Sequence, residues 1–433
     1  MNTAEKPQKR AWTAPHREQP LDAVVSIPGS KSQTARALVL AALADGPSTL
    51  VRPLNSRDTV LMAQALESLG VEVDTSDPER WTVVPGELRS DAAVDCGLAG
   101  TVMRFLPPVA ALAPGRVSFD GDEAAYKRPV KPVLEALKAL GVAIEDEGRG
   151  ALPFSVEGTG SVKGGAVSID ASASSQFVTA LLLAAPRFEQ GLELTHVGGE
   201  IPSRPYLDMA VGMLREAGVT VDDSVPDRWK VEPGPVAARE WVVEPDLQNA
   251  APFALAPLVV GGRVTVTGWP RETTQAGDHL REVIGELGGR TEWSRGGLTV
   301  VAQPMNANSR FDLSDASEIT PTLAALAAVT KGHMEIRGVE HIRGHETDRI
   351  DAMVTELRKI GATVEEHADG LTVIPGLLSA SVFETYDDHR IAHAAVLAGL
   401  AVRGIELSDV ACTSKTWPEF PEVWEEFANG EGV

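Results

Sequence analysis

The sequence predicts an α/β protein of two domains built from copies of one supersecondary unit, and three observations carry that prediction. The first is a recurring pattern, in which an amphipathic helix ends at glycine, a strand follows, and a polar turn leads into a second strand. ALESLGVEVDTSDPERWTVVPG begins at Ala65, ALKALGVAIEDEGRGALPFSVEG at Ala136 and MLREAGVTVDDSVPDRWKVEPG at Met213. VIGELGGRTEWSRGGLTVVAQ begins at Val283 and ELRKIGATVEEHADGLTVIPG at Glu356. The second is spacing: the helix-ending glycines Gly70, Gly141, Gly218, Gly288 and Gly361 (141−70, 218−141, 288−218, 361−288) lie 71, 77, 70 and 73 residues apart. A near-constant period of this length marks a copied unit. The third is length, since 433 residues exceed what one hydrophobic core usually serves.

Each element has its own reason. Glycine after a helix supplies the left-handed residue that ends it. Turns rich in Asp, Pro or Gly then close a hairpin. Ahead of each glycine an earlier, more apolar helix is expected: Ser32–Ala44, Thr101–Ala113, Ser174–Ala185, Leu247–Val260 and Thr320–Val329. A sixth, Asp388–Val402, is followed by a helix at Trp417–Phe427 but by no closing hairpin. The segment Trp12–Ile27 reads as two short strands able to complete that last unit. Six units divide into two domains of three. One is expected over Ser30–Glu240, and the other joins Met1–Gly29 to Trp241–Val433. The chain would cross between them near Gly29 and near Glu240, which suggests a hinge.

Bulk properties narrow the function. With 39 basic and 61 acidic residues the formal charge is −22, which argues against nucleic acid or an anionic membrane as partner. Two cysteines, Cys96 and Cys412, offer no zinc spacing, so no metal is expected. The first twenty residues lack the apolar core of a signal peptide, and no apolar run is long enough to span a bilayer. The expectation is a cytoplasmic protein.

The polar residues worth singling out sit at or near the starts of the first helices, where free N–H groups and the positive dipole end attract anions. IPGSKSQTAR carries Gly29, Lys31, Ser32 and Arg36, without the glycines of a P-loop. GLAGTVMRFLPP carries Gly100 and Arg104, and YKRP carries Lys127 and Arg128. SASSQF offers Ser174, Ser175 and Gln176, and IPSRPY offers Ser203, Arg204 and Tyr206. Further on come Asp315 and Glu318 in LSDASEITPT, then HIRGHETDRI, where Glu346 and Arg349 are spaced to share a helix face. TYDDHR carries His389 and Arg390, and CTSKTWPEF carries Lys415. Taken singly, each is read as readily as a helix cap or a solvated ion pair. Their recurrence at one place in successive units is the specific signal.

Read together and in order, PGSKS, AGTVMRFL, KRP, SSQF, SRPY, HETDR, YDDHR and SKTWPEF resemble the motifs of the 5-enolpyruvylshikimate-3-phosphate synthases, from about Ile27 to Phe420. The resemblance implies an inside-out α/β barrel of six βαβαββ repeats, three per domain, with the active site in the cleft between domains. It implies transfer of the enolpyruvyl group of phosphoenolpyruvate to the 5-hydroxyl of shikimate 3-phosphate, with no cofactor. By motif, Ser32, Arg36, Ser174, Ser175, Ser203, Glu318 and His345 resemble shikimate 3-phosphate ligands. Gly100, Arg128, Gln176, Arg349, His389, Arg390 and Lys415 resemble phosphoenolpyruvate ligands, and Lys31 lies between the two sets. Glu346 resembles the acid that protonates the methylene. Glu318 is the preferred base and Asp315 its rival. The partners expected are these two small anions, and the chain is expected to act as a monomer.

Three positions depart from the family's usual pattern. His345 stands where lysine is common, His341 where asparagine is common, and Leu98 where asparagine often precedes the glycine. A histidine at 345 suggests pH-dependent shikimate 3-phosphate binding. Gly100, with no bulk beside it, leans toward sensitivity to glyphosate, the family's phosphoenolpyruvate-site inhibitor. The sister transferase acting on UDP-N-acetylglucosamine, which typically carries a loop with a reactive Cys or Asp, is the nearest rival, but Asp120–Lys131 has no cysteine, and SSQF and HETDR resemble the shikimate enzyme. A non-enzymatic anion-binding protein would not need Lys31, Arg128, Glu346, Arg390 and Lys415 together.

Overall fold

The five periodic glycines all adopt positive φ, from 80° to 105°, and each leads from a helix into a strand. In the computed structural model, which describes residues 9–306, 308–430 and 432, the hairpins that follow form the outer edges of small mixed sheets. Ala92–Asp95 runs parallel to Arg116–Asp120, which pairs antiparallel with Phe154–Glu157, itself the partner of Ala143–Glu145. The same order recurs in Gly165–Ile169, Leu192–His196, Arg228–Val231 and Val221–Asp222. It recurs again in Asn308–Asp312, His333–Arg337, Gly370–Ile374 and Thr363–His367.

The chain forms two compact units, Gly29–Val243 and a second that joins the described residues up to Pro28 with Glu244–Val433. Each of the two strands next to the crossings pairs inside its own unit, and their partners differ from the sequence grouping. Glu240–Val242 pairs parallel with Ser48–Val51 in the first unit, so the second crossing falls after Val243 rather than at Glu240. Leu21–Val25 pairs parallel with Gly262–Thr267, whose sheet also holds Gly297–Val301 and Arg290–Trp293. Only Trp12–Thr13 completes the last sheet, beside Glu406–Leu407 and Val382–Phe383. Periodicity reports a strand's type, not its partner, which is why the two short strands were grouped. The expected residues Met1–Gln8 lie outside the described residues.

In the first unit the helices Lys31–Ala42, Gly100–Ala110 and Gln176–Ala184 pack on one another, and almost every side chain in them is buried. Ala251–Val260, Thr320–Val329 and His389–Ala401 do the same in the second. The strands instead alternate, as in Leu21–Val25, where Leu21, Ala23 and Val25 are buried and Asp22 and Val24 exposed. One face of each such strand covers the helices and the other meets water. These helices are apolar all round because helices and sheet surround them.

The second unit is anchored by Phe253, whose ring centroid lies 4.9–5.9 Å from those of Trp417, Phe420, Trp424 and Phe427. Such aromatic pairs add about 0.5–1.5 kcal/mol each beyond area burial. They dock the helix Phe420–Asn429, which ends at Gly430 in the left-handed region (φ 89°). Among the described residues no helix is long and apolar enough to cross a membrane. Cys96 and Cys412 are free.

Candidate active site

The inner helices share a feature with only one of the other six described helices, Lys131–Ala139. None of the six has an acidic residue in its first turn. Asp58, Asp208, Glu282, Asp351 and Glu422 occupy the first turns of five of the other helices. An acid there would satisfy the helix's positive end; without one, that end is left to the cap residue, Ser30 for Lys31–Ala42 and Asp388 for His389–Ala401, or to an anionic ligand.

In the first unit, Ser30 caps Lys31–Ala42 by accepting from the Gln33 N–H. That cap sets Lys31 on the first turn, its Nζ 3.5 Å from the buried Asp58 carboxylate. Arg36 is 1 % exposed and lies between the rings of Phe105 and Tyr206. Two of its nitrogens donate to the carbonyls of Ser32 and Tyr206, and burial lowers its pKa to about 10. Gly100 opens its helix against Arg128: a Cβ there would stand 2.8 Å from the guanidinium.

Arg128 also donates to the Leu98 carbonyl at 2.8 Å. The Leu98 side chain is buried in the core, so this position contributes to the arginine through its backbone. Gln176 begins the third helix and accepts from Arg104 (2.8 Å), which is stacked on Phe177 and donates to the Pro129 carbonyl. Ser174 accepts from the Gln176 N–H, and Ser175 is the N-cap. Ser203 is 9 % exposed and holds φ at 56°. That conformation costs a non-glycine residue about 1–3 kcal/mol and is a frequent mark of functional sites.

In the second unit the predicted residues converge on one network. Arg349, fully buried, begins the helix Arg349–Lys359. It donates to both oxygens of Asp388 (2.7 and 3.2 Å) and to Glu346 (2.8 Å), and lies 3.0 Å from Glu318 and 2.9 Å from His345 Nδ1. Glu346 precedes the helix and also contacts Lys415. The pair spaced to share a helix face is therefore a buried contact between a loop and a helix start, not a solvated ion pair. Arg390 donates to Glu318, Asn249 and Gln248. Asp388 caps the helix His389–Ala401. His389 is buried at its start, edge-on to His393.

Glu318 sits where these groups meet. Burial pushes its carboxyl up, but Arg349, His345 and Arg390 together hold it well below the usual range. Asp315, three residues earlier, is exposed. His341 shares a 2.8 Å hydrogen bond with Ser317. Burial foremost, with His345 and Arg349, lowers its pKa to about 4 against the pull of Glu318. Among the described residues no group of three or more His, Cys, Asp and Glu is placed to hold a metal ion.

Sequence reasoning missed the residues that hold the cations: Asp58, Gln248, Asn249 and Asp388. Most come from segments remote from the group they hold. Only Asp388, inside TYDDHR and directly before His389, carried a local signal as a cap.

The EPSP synthase (3-phosphoshikimate 1-carboxyvinyltransferase) family profile matches residues 15–424. The chain is 49% identical to a 3-phosphoshikimate 1-carboxyvinyltransferase of Kocuria rhizophila, covering 98% of each. A solved EPSP synthase from Acinetobacter baumannii matches with a TM-score of 0.80 at 22% identity, over 97% of this chain and 98% of that one. The enolpyruvyl transferase NikO of Streptomyces tendae matches with a TM-score of 0.75 at 16% identity, over the same shares. At those identities the two structures carry the fold alone.

Proposed function

The chain belongs to the EPSP synthase (3-phosphoshikimate 1-carboxyvinyltransferase) family, and from that premise we propose how its own residues divide the reaction. The enzyme transfers the enolpyruvyl group of phosphoenolpyruvate to shikimate 3-phosphate, releasing phosphate, in the shikimate pathway to aromatic amino acids. Both substrates are anions, which suits arginine forks and acid-free helix starts.

Glu346 protonates the methylene carbon, which makes C2 electrophilic. The 5-hydroxyl attacks C2 and gives up its proton to Glu318. The tetrahedral adduct then expels phosphate, which takes the proton held by Glu318, while Glu346 takes back one methyl proton, restoring the double bond. Lys415, in contact with Glu346, is positioned to relay the proton that Glu346 passes on. Arg128, Arg349, Arg390 and Lys415 hold phosphoenolpyruvate with Gly100, Gln176 and His389. Ser32, Arg36, Ser174, Ser175, Ser203 and His345 hold shikimate 3-phosphate, and Lys31 faces both. Each domain is read as three βαβαββ repeats with helices inside, in a cytoplasmic monomer that uses no cofactor.

One observation carries this reading: Arg349 links Glu346 and Glu318, the two carboxylates that need different protonation roles. A phosphate-release assay with both substrates tests the reaction. Glu346→Gln keeps the shape of the acid but cannot donate a proton, so kcat should fall by about 10²–10⁴ while both substrates still bind. Near-normal turnover would remove Glu346 from the acid role.

A further inference from the structure

Glu356 is a buried carboxylate that the reaction as derived above does not use. It lies seven residues after Arg349 on the same helix, about two turns on, and so on the same face. No part of it is exposed, yet it is fully engaged. Its oxygens accept from the Tyr386 hydroxyl at 2.6 Å, from the Glu384 backbone N–H at 3.1 Å, and from Lys359 at 2.8 and 3.0 Å.

Those first two donors belong to the turn before the helix His389–Ala401. Tyr386 and Asp387 both hold positive φ, 54° and 55°. Two adjacent non-glycine residues in that region cost about 1–3 kcal/mol each and persist only where their surroundings enforce them. The next residue, Asp388, grips Arg349 and caps the helix that presents His389 and Arg390. One helix thus holds the turn at two points, through Arg349 to Asp388 and through Glu356 to Glu384 and Tyr386.

We propose that Glu356 is a positioning residue of the active site, which acts through Tyr386 and the Glu384 backbone to fix the strained turn that orients Asp388 and Arg390. The proposal rests on the reading of Arg349 and Arg390 as phosphoenolpyruvate ligands. A carboxylate suits the task because it can accept from all three donors at once, whereas glutamine offers one accepting oxygen and an N–H pair that would face other donors.

The test compares Glu356→Gln, Tyr386→Phe and the double variant in the full-length enzyme. Each single variant should raise KM for phosphoenolpyruvate by roughly ten-fold, in line with the cost of small misplacements at a site. The double variant should be no worse than the worse single one, because both remove the same clamp. Hydrogen exchange should speed up in the peptide 384–391, with shikimate 3-phosphate affinity little changed. Tyr386→Phe removes one hydroxyl from a partly exposed ring, so it keeps the test available even where Glu356→Gln folds poorly. Unchanged KM and unchanged exchange, with only a lower melting temperature, would reduce Glu356 to a fold stabiliser. Arg390→Lys separates the underlying reading: if it raises KM while Tyr386→Phe does not, the clamp is refuted and the ligand assignment stands. If Arg390→Lys leaves KM unchanged, the ligand assignment fails and the exchange measurement still decides whether Glu356 fixes the turn.

Discussion

Arg349 has no exposed side-chain surface, and its three carboxylate partners explain how so buried a cation is tolerated. A guanidinium taken from water is stabilised only where its donors are met. Here Glu318, Glu346 and Asp388 balance Arg349, Arg390 and Lys415, so the second unit's network carries little net charge before any substrate arrives. That balance distinguishes the candidates for the base. Glu318 is held ionised by its neighbours and sits among them, whereas Asp315 is exposed on the preceding turn. Glu318→Gln should therefore cost at least about 10² in kcat, and Asp315→Asn less than about three-fold. Removing the Glu318 charge also leaves Arg349 and Arg390 less compensated, which can cost several kcal/mol of stability, about 3–5 where a buried pair is broken outright. Turnover should for that reason be measured beside the melting temperature. A larger turnover loss at Asp315 would reverse the assignment.

At the scale of elements, helix stops and hairpins were legible because glycine and the polar turns act locally. Thr320–Val329 was read to the residue, and the other inner helices to within a few residues at either end. Strand partners were not legible, because Leu21–Val25 and Glu240–Val242 look alike in pattern and differ only in the distant strands they pair with. The candidate site divides the same way: the cations stood out at helix starts, while Asp58 and Glu356 have no local signal that sets them apart from other acids on helices. The turn Glu340–Gly344 supplies a test at this scale. His341 has a folded pKa of about 4 against an ordinary 6.5, so the native state favours its neutral form. Its contribution is complete above about pH 6.5 and is lost as pH falls toward 4, with a ceiling on the order of 3 kcal/mol. His341→Asn keeps a partner for Ser317 and removes the titration. Urea denaturation should show the wild type losing more stability than this variant between pH 6.5 and 4. Parallel curves would mean that His341 is not held neutral.

For the whole molecule, the question is how a chain of formal charge −22 gathers two anionic substrates. The two chain crossings near Gly29 and Glu240 suggest a hinge, so any domain movement needs a driving force. Lys31 is paired with Asp58, and Arg349, Arg390 and Lys415 with carboxylates, each inside its own unit, so charge repulsion does not supply it. What remains is the division of the site along the chain. Lys31, Gly100, Arg128 and Ser174–Gln176 belong to one unit, and Glu318, Glu346, Arg349, Arg390 and Lys415 to the other. Neither unit alone holds both the acid and the serine set. A ligand touching both would bind a closed arrangement more tightly than an open one, which is the differential affinity a population shift needs. Closure would also exclude water while positive charge develops at C2 of phosphoenolpyruvate. Shikimate 3-phosphate should then reduce the radius of gyration measured by small-angle scattering, and Ser174→Ala/Ser175→Ala should require a higher ligand concentration for the same change. An unchanged radius at saturating ligand would mean that substrate binding does not drive closure, and that neither carboxylate depends on domain movement to reach its place.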